Sequence, residues 1–284
     1  ILRQSFELIA RFPSIIAYGY HTKAHYYDGK SLYLHSSNSK LSIAENFLHL
    51  MRPNNKYSDE EAKLLDLCLI LHAEHGGGNN SAFTTHVVSS SGTDTYSAIA
   101  AAIGSLKGPK HGGANNRVMG MMEEIKSNVK NWSDEKEVSN YIAKIINKEA
   151  YDKSGLVYGF GHAVYTLSDP RTALLKERAK KLAADKGRSE EFELYNLIEQ
   201  ITPKMFAEIK QTDKFIPANV DFYSGFVYSL LDIPPELYTP IFAMSRIVGW
   251  CAHRIEEVIT SNRIIRPAYK SVSKRKPYIP IDER

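Results

Sequence analysis

The sequence is poor in cysteine and in long apolar runs. Only two of its 284 residues are cysteine, Cys68 and Cys251, and both lie in apolar segments. Buried free thiols of this kind are typical of a reducing compartment. No uninterrupted apolar run reaches the roughly 20 residues of a membrane span, and no signal-peptide pattern is present. We therefore expect a cytoplasmic protein with no membrane partner.

The chain also has little net charge. The chain has 36 Lys and Arg against 32 Asp and Glu, so the net charge is only +4, and the charges are interspersed. This balance suits small anionic substrates but is too weak for a nucleic-acid-binding surface. Hydrophobic residues make up 43% and charged residues 24% of the chain, proportions that are typical of globular proteins.

Helical periodicity dominates the chain. Apolar spacing predicts a helix from Leu2 to Ile16, and a capping box at Ser58–Glu61 opens a helix that ends near His75. One hairpin turn is predicted at Asp28-Gly29. Further helices are predicted at 80–91, 95–106, 114–130, 134–150, 170–186 and 189–210, and composition turns apolar again at 222–231 and 239–260. The helices at 80–91 and 95–106 are rich in small residues, which suits a central core or a subunit interface, although a plain buried helix pair fits equally well.

Composition also divides the chain. A more polar segment, 112–230, interrupts a more apolar one made of 1–111 and 231–284. This pattern predicts an all-α, two-domain fold in which a small domain is inserted into a large one. The tail from Ser271 to Arg284 is basic and is expected to be a solvated or docking arm.

Three histidines stand beside glycines, where the backbone leaves room for a ligand. They are His75, followed by three glycines, His111, just before a helix, and His162, in a glycine-bounded loop. The positive end of the helix after His111 favours a neutral imidazole. Each could also be an ordinary loop histidine. The run 159–164 begins like a dinucleotide loop, but Val164 replaces the third glycine, which weakens a Rossmann interpretation.

Three charged residues are candidates for substrate chemistry. Asp221 precedes an apolar helix, where it could be an N-cap or a general base. Arg171 lies at a helix N-terminus opened by Asp169-Pro170, which favours an anion, although a solvated arginine is nearly as plausible. Arg246 lies between Phe242 and Trp250 on an apolar face. A guanidinium there needs an anionic partner, either a structural carboxylate or a substrate.

Taken together, these motifs resemble the citrate synthase family in order and spacing, and the resemblance covers essentially the whole chain. The runs that carry it are His72–Ser81, Gly108–Asn115, Gly159–Val164, Asp169–Arg171, Asn219–Gly225, Ser245-Arg246 and Arg266-Pro267. The family's activity is the condensation of acetyl-CoA with oxaloacetate to give citrate and free CoA. The resemblance implies no metal and no tightly bound cofactor, since the coenzyme A thioester is a co-substrate.

The resemblance also implies residue roles. His111 polarises the acetyl carbonyl while Asp221 removes a methyl proton, and His162 protonates the oxaloacetate carbonyl. Ser81 orients His111. The oxaloacetate carboxylates are held by His75, Arg171, Arg246 and, from the second subunit of a homodimer, Arg266. Coenzyme A is contacted by Leu156, Val157, Gly159, Phe160 and Lys214.

Two departures from the family pattern stand out. Thr166 occupies a position where the family often has a basic residue that touches a CoA phosphate. An N-terminal helical region that is usual in the family is expected but is not in this sequence.

Three alternatives stay open at this point. A 2-methylcitrate synthase would use propionyl-CoA, and the extra methyl group is worth about 1–3 kcal/mol in a pocket. A metal-dependent hydrolase would use His72, Glu74 and His75. A non-catalytic binding protein would retain the fold alone.

Overall fold

A computed structural model describes residues 1–162, 164–260 and 263–284. Within these ranges the chain is helical, and its β-structure is one isolated bridge between Phe160 and Ala218. Short 3-10 helices lie at Pro235–Leu237 and Ile281–Glu283. The α-helices are α1 (Leu2–Asp28), α2 (Ile43–Met51), α3 (Asp59–His72), α4 (Asn80–Ser90), α5 (Thr95–Leu106), α6 (Ala114–Asn128), α7 (Glu135–Ile146), α8 (Pro170–Asp185), α9 (Ser189–Lys210), α10 (Val220–Leu230) and α11 (Tyr238–Thr260).

The all-α prediction is confirmed, and most predicted helices agree with the structure within a few residues. The Ser58 capping box is present, with the Ser58 side chain accepting from the Glu61 amide and Glu61 accepting from the Ser58 amide. Sequence analysis missed α2, although Ser42 and Glu45 form a second capping box at its start. That helix is short, and its apolar residues were not recognised as periodic.

The predicted hairpin at Asp28-Gly29 is wrong. The first helix continues through Pro13 to Asp28, and Gly29 ends it in the left-handed region with φ 64°. The Gly29 amide donates to the Ala24 carbonyl, which is a common way of ending a helix. Asp28 and Gly29 lie where the chain changes direction, but they end a helix because no partner strand follows among the described residues.

The packing of α11 organises one group of helices. It lies against α1, α3, α4 and α5, and its Trp250 and Ile247 are fully buried. A second group surrounds α10, which packs on α6 and α8, while α7 packs on α9. Helices α3 and α8 connect the groups, so the end of α3 and the start of α10 face a common region.

Both cysteines are free and buried, as predicted. In the part of the chain that the structure describes, none of the helices has the length and apolar character needed to cross a bilayer.

Candidate active site

His75 and His162 meet between the two groups of helices. His75 follows the end of α3, and its Nε2 lies 3.0 Å from Nε2 of His162. The rings are nearly perpendicular, with centroids 4.8 Å apart. Burial and the nearby Arg171 lower the pKa of His75 to about 4. The same two causes lower the pKa of His162, so both rings are neutral at pH 7.

The backbone fixes the tautomer of His162. Its Nδ1 accepts from the amides of Val164 and Tyr165, at 2.9 and 3.2 Å. Since an accepting nitrogen cannot carry the proton, the proton is on Nε2, which points toward His75. His162 therefore presents a hydrogen-bond donor to whatever lies between the two rings.

The loop of His162 is attached to the start of α10. The Gly159 carbonyl accepts from the Asn219 amide and the Gly161 amide donates to the Pro217 carbonyl, both at 2.8 Å. Gly159 has φ +85°, and a Cβ there would approach Phe222 to within 2.9 Å. This close backbone pairing holds His162 at a fixed position relative to Asp221.

A hydrogen-bonded group of three side chains positions His111. Its Nε2 lies 2.9 Å from Ser81 Oγ, which also accepts from Trp250 Nε1 at 3.0 Å. Burial, and secondly Arg246, lower the pKa of His111. The Ser81 hydroxyl has two acceptors within reach, Asn79 Oδ1 at 3.0 Å and His111 Nε2 at 2.9 Å. When it donates to His111, the neutral ring carries its own proton at Nδ1 and can donate it in a hydrogen bond to a substrate oxygen.

Asp221 lies in the first turn of α10 and is half-buried. Its amide donates to Asn219 Oδ1, so Asn219 is the N-cap and Asp221 is free for another role. No hydrogen bond from the described residues reaches its carboxylate. Burial raises the pKa of Asp221 to about 6, and the attraction of Arg171 and Arg246 only partly opposes this. The group is thus a carboxylate of unusual basicity at neutral pH.

Arg246 is buried and forms no ion pair with the described residues, although the carboxylates of Glu74 and Asp221 are near enough to attract it. It is 1% exposed, its Nε donates to the His72 carbonyl at 2.7 Å, and it stacks 4.7 Å from the Phe242 ring centroid. Its Nη1 has no hydrogen-bond partner among the described residues. Burial lowers its pKa to about 10, which leaves it charged. An unpaired, buried cation is an anion-binding group.

Arg171 differs, because it is already paired. Its Nε and Nη2 donate to the two carboxylate oxygens of Asp169 at 3.0 and 2.8 Å. Asp169 also accepts from the Val220 amide at 3.1 Å, so it joins α8 to α10. The Arg171 guanidinium lies 5.2 Å from the Tyr165 ring centroid and close enough to His75 and His162 to affect their pKa values.

A small cavity of about 30 Å³ connects His111 with Asp221. It has room for only one or two water molecules. The cavity is lined by His72, His111, Gly112, Ala114, Asn115, Asp221, Tyr228, Tyr238 and Phe242. A carboxylate of raised pKa and an imidazole thus face the same space.

Other predicted site residues are not in this group. Arg266 is exposed and makes no hydrogen bond or ion pair with the described part of the chain. Leu156 is 55% exposed and Lys214 is exposed, whereas the Val157 side chain is buried. Gly159 and Phe160 lie beside α10, with Phe160 4.9 Å from Phe222 between ring centroids.

The set proposed for a hydrolase metal does not converge. His72 Nδ1 bonds to the Cys68 carbonyl at 2.8 Å inside the core, Glu74 lies 2.8 Å from His253, and His75 faces His162. This geometry argues against the hydrolase alternative. Among described residues, the histidine and carboxylate atoms close enough to share an ion belong to His86, His253 and Glu256.

Sequence analysis missed three residues that shape the site. Trp250 was noted only as a neighbour of Arg246, yet it donates to Ser81. Phe242 lies 5.2 Å from His72 and 6.3 Å from His111 between ring centroids. Asn115 donates to Ser224 at 2.6 Å, and its buried Oδ1 has no hydrogen-bond partner among residues 1–162, 164–260 and 263–284. Its place at the end of the glycine-rich run was the only signal for it.

The chain matches the family described as "Citrate synthase, C-terminal domain" over residues 1–268. It is 41% identical over 250 residues to the citrate synthase of Synechocystis sp., a match that covers 87% of this chain and 57% of the relative. It is 39% identical over 280 residues to the 2-methylcitrate synthase of Shewanella oneidensis, covering 98% of this chain and 67% of the relative.

Solved structures agree with these matches. Citrate synthase from Thermotoga maritima superposes with a TM-score of 0.77 at 33% identity, covering 99% of this chain and 70% of that one. A ternary complex of carboxymethyl coenzyme A and oxaloacetate with citrate synthase from Thermoplasma acidophilum gives 0.76 at 32% identity, covering 99% and 68%.

Fold and site together define an all-helical protein in which His111 and Asp221 line one small cavity, and the buried Arg246 stacks on Phe242 of the same cavity. The chain belongs to the citrate synthase family. It spans 57% of the length of the Synechocystis relative.

Proposed function

We propose that this chain carries the condensing site of a citrate synthase, which joins acetyl-CoA to oxaloacetate. The observation that carries the proposal is Arg246. A buried guanidinium with a free Nη1 requires an anion, and the histidines near it are neutral donors and acceptors rather than counter-ions. A dicarboxylate supplies the missing charge.

The proposed reaction starts with enolisation. The Asp221 carboxylate takes a proton from the acetyl methyl group while His111 donates a hydrogen bond to the thioester oxygen. Both groups face one cavity, so proton removal and stabilisation of the thioester oxygen can occur together. The pKa of about 6 at Asp221 leaves the base ionised at pH 7 and stronger than an exposed aspartate.

Carbon–carbon bond formation follows. The enolate carbon attacks the ketone carbon of oxaloacetate, and His162 Nε2–H protonates the ketone oxygen as it becomes a hydroxyl. The fixed Nε2 tautomer of His162 supplies that proton in the correct place. Water then cleaves the citryl thioester, which releases citrate and free CoA.

The oxaloacetate carboxylates are assigned to His75, Arg171 and Arg246, with Arg266 contributed by a second subunit. Bidentate arginine contacts suit carboxylates well. Arg171 would contact the substrate while retaining Asp169, whose pKa it lowers despite the carboxyl's burial.

Coenzyme A is assigned to the backbone at Leu156, Val157, Gly159 and Phe160 and to Lys214. Exposed Leu156 and Lys214 are compatible with a ligand on the outer side of this loop. Thr166 removes one expected phosphate contact. Propionyl-CoA is the second candidate substrate, because one relative is a 2-methylcitrate synthase.

The assembly proposed is a cytoplasmic homodimer of two-domain subunits, with 1–111 and 231–284 as the large domain and 112–230 as the small, CoA-binding one. Apolar side chains left exposed on α4, α5 and α11 support a subunit interface there. They are Phe83, Tyr96 and Val248, which are 50%, 49% and 44% exposed.

Thiol release tests this proposal. The chain is given acetyl-CoA or propionyl-CoA, with and without oxaloacetate, and the product is identified by mass spectrometry; Asp221→Asn is the inactive control. We expect oxaloacetate-dependent release of CoA that persists after chelation of metals. Release without oxaloacetate, or activity restored only by zinc, would support a hydrolase. Oxaloacetate binding with no turnover would support a non-catalytic protein.

A further inference from the structure

A second histidine cluster lies behind the His75 loop, outside the site described above. His86 of α4 and His253 of α11 face each other, with His86 Nε2 3.0 Å from His253 Nδ1. Each ring's other nitrogen lies against a carboxylate. His86 Nδ1 is 2.8 Å from Glu257 Oε2, and His253 Nε2 is 2.8 Å from Glu74 Oε2, a close contact rather than a well-aligned hydrogen bond.

Glu257 fixes the proton of His86. A carboxylate oxygen at 2.8 Å accepts from the nitrogen that faces it, so a neutral His86 carries its proton on Nδ1 and turns the lone pair of Nε2 toward His253. His253 Nε2 has no aligned hydrogen bond among the described residues, so the His253 proton can lie on Nε2 or on Nδ1. With the proton on Nε2, both inner nitrogens present lone pairs to each other over 3.0 Å, which is the arrangement that binds a cation.

The surrounding charge is unbalanced. Glu257 is 7% exposed, and its Oε1 has no hydrogen-bond partner among the described residues. Glu256 adds an oxygen 3.4 Å from His253 Nδ1. With Glu74, three carboxylates surround two imidazoles, and the side chains of Glu74 and Glu256 are 43% and 61% exposed. The buried carboxylate of Glu257 favours a cation close to it.

The geometry suits a zinc-type dication. His86 Nε2, His253 Nδ1 and a Glu256 oxygen all lie within 4.8 Å of one another. Zinc takes imidazole nitrogen and carboxylate oxygen at about 2.0–2.2 Å in a tetrahedron, so a small separation of the rings would admit it. Metal-bound histidines usually donate their other N–H to a carboxylate, and here Glu257 and Glu74 already occupy those positions.

Two glycines allow the cluster to form against the His75 loop. A Cβ on Gly249 would lie 2.4 Å from Glu74 Oε2, and a Cβ on Gly77 would lie 3.3 Å from His86 Nε2. Glu74 Oε1 in turn accepts from the amide of His75 at 2.7 Å and from that of Gly76. The cluster therefore holds the peptide that carries His75.

We propose that His86 Nε2, His253 Nδ1 and the Glu256 carboxylate bind a divalent transition-metal ion of the zinc class. Glu257 and Glu74 orient the two imidazoles, and the ion stabilises the fold behind the His75 loop. It has no part in the condensation chemistry, and the inference does not depend on the proposed function.

Direct binding tests the proposal. The chain is stripped with chelator and titrated with Zn²⁺ by calorimetry and with Co²⁺ by visible absorption. The variants are Glu256→Gln, which alters a side chain that is 61% exposed and should fold normally, and His253→Gln. The control is His25→Gln, an exposed histidine that bonds only to the Lys30 carbonyl.

We expect one equivalent of Zn²⁺ to bind, a tetrahedral Co²⁺ spectrum and a higher melting temperature with metal. Glu256→Gln replaces a ligand and should weaken binding by at least the roughly 10- to 100-fold that loss of an outer-shell partner costs. His253→Gln should abolish binding, and His25→Gln should leave it unchanged. Absence of stoichiometric binding, or equal affinity in all four proteins, would overturn the proposal and leave a shared proton between the rings.

Discussion

The Nε2 atoms of His75 and His162 lie 3.0 Å apart, although 87 positions separate the two residues in the chain. One follows α3 and the other is attached to the start of α10. Because the rings are in contact, they occupy the space that a ligand held by both would need. The cavity between His111 and Asp221, about 30 Å³, is too small for either proposed substrate, so substrate access requires the two groups of helices to separate.

We therefore predict a ligand-dependent change of shape. The free chain should sample a more open form, and oxaloacetate should compact it by bridging His75 and Arg246 on one side with His162 and Arg171 on the other. Small-angle scattering with and without oxaloacetate measures this, with Arg246→Lys as the binding-impaired control. Identical scattering curves at saturating ligand would contradict the prediction.

Asp221→Asn should lower turnover about 10²- to 10⁴-fold, the usual contribution of a general base. Oxaloacetate affinity should change little, because the base acts only on the acyl-CoA. Steady-state kinetics and calorimetry separate the two effects, and Glu193→Gln serves as a control for loss of a carboxylate. Near-normal turnover in Asp221→Asn would show that Asp221 only supports the helix terminus.

The raised pKa of Asp221 implies that activity and stability depend on pH. With the pKa raised to about 6, kcat/KM should fall as the pH drops through about 6. The free energy of unfolding should change with pH in the opposite direction. A carboxyl group whose pKa is raised in the folded state stabilises the fold only where it is protonated. That contribution is lost as pH rises from about 4 to about 6.

Above pH 6 the ionised Asp221 should therefore destabilise the folded chain by up to about 3 kcal/mol, from a pKa that rises from 3.8 to about 6. Asp221→Asn should be more stable than wild type at pH 8 and nearly equal to it at pH 4. Urea unfolding at both pH values measures the difference. An equal stability difference at pH 4 and pH 8 would argue against the raised pKa.

Two buried arginines on α11 give a matched pair of variants. Arg246 Nη1 has no hydrogen-bond partner in the part of the chain that the structure describes, whereas Arg254 is bonded to Thr95, Ser89 and the Thr93 carbonyl. Arg246→Lys should weaken oxaloacetate binding roughly 10- to 150-fold, equivalent to about 1.5–3 kcal/mol for a hydrogen bond to a charged group. Arg254→Lys should lower the melting temperature and leave affinity unchanged. Equal effects of the two variants on binding would remove Arg246 from the site.

Local signals predicted much of this structure. The capping box at Ser58, the Asp169-Pro170 helix start and the small-residue helices depend on neighbours in sequence, and all appear in the structure. The Asp28-Gly29 turn shows the limit. Glycine favours both hairpins and helix ends, and only the absence of a partner strand decides between them.

Long-range partners could not be predicted in the same way. Nothing near Ser81 in sequence indicates that Trp250 donates to it, and the His86–His253 contact joins residues 167 positions apart. Side chains that lack a partner are harder still to predict from the sequence. Arg246 makes no ion pair with the described residues, whereas Arg171 pairs with Asp169. This difference follows from which side chains surround each arginine after folding.

The last prediction concerns Arg266. Its side chain is exposed and lies apart from His75, Arg171 and Arg246, so a single chain gives it no role in the site. The Ile265 amide donates to Ser90 Oγ at the end of α4 at 3.0 Å, which fixes the start of the exposed tail beside this helix. The same helix carries exposed Phe83, and in a C2 dimer a residue beyond this point can reach the partner's site.

Complementation tests this arrangement. Arg266→Ala and Asp221→Gly chains, each inactive alone, are unfolded and refolded together. A heterodimer has one site with both lesions and one with neither, so up to half of wild-type activity per heterodimer should return. Refolded Arg266→Ala with Arg246→Lys is a further pair that should complement by the same logic. If heterodimers form, as native mass spectrometry would show, and the mixture stays inactive, Arg266 acts within its own subunit or not at all.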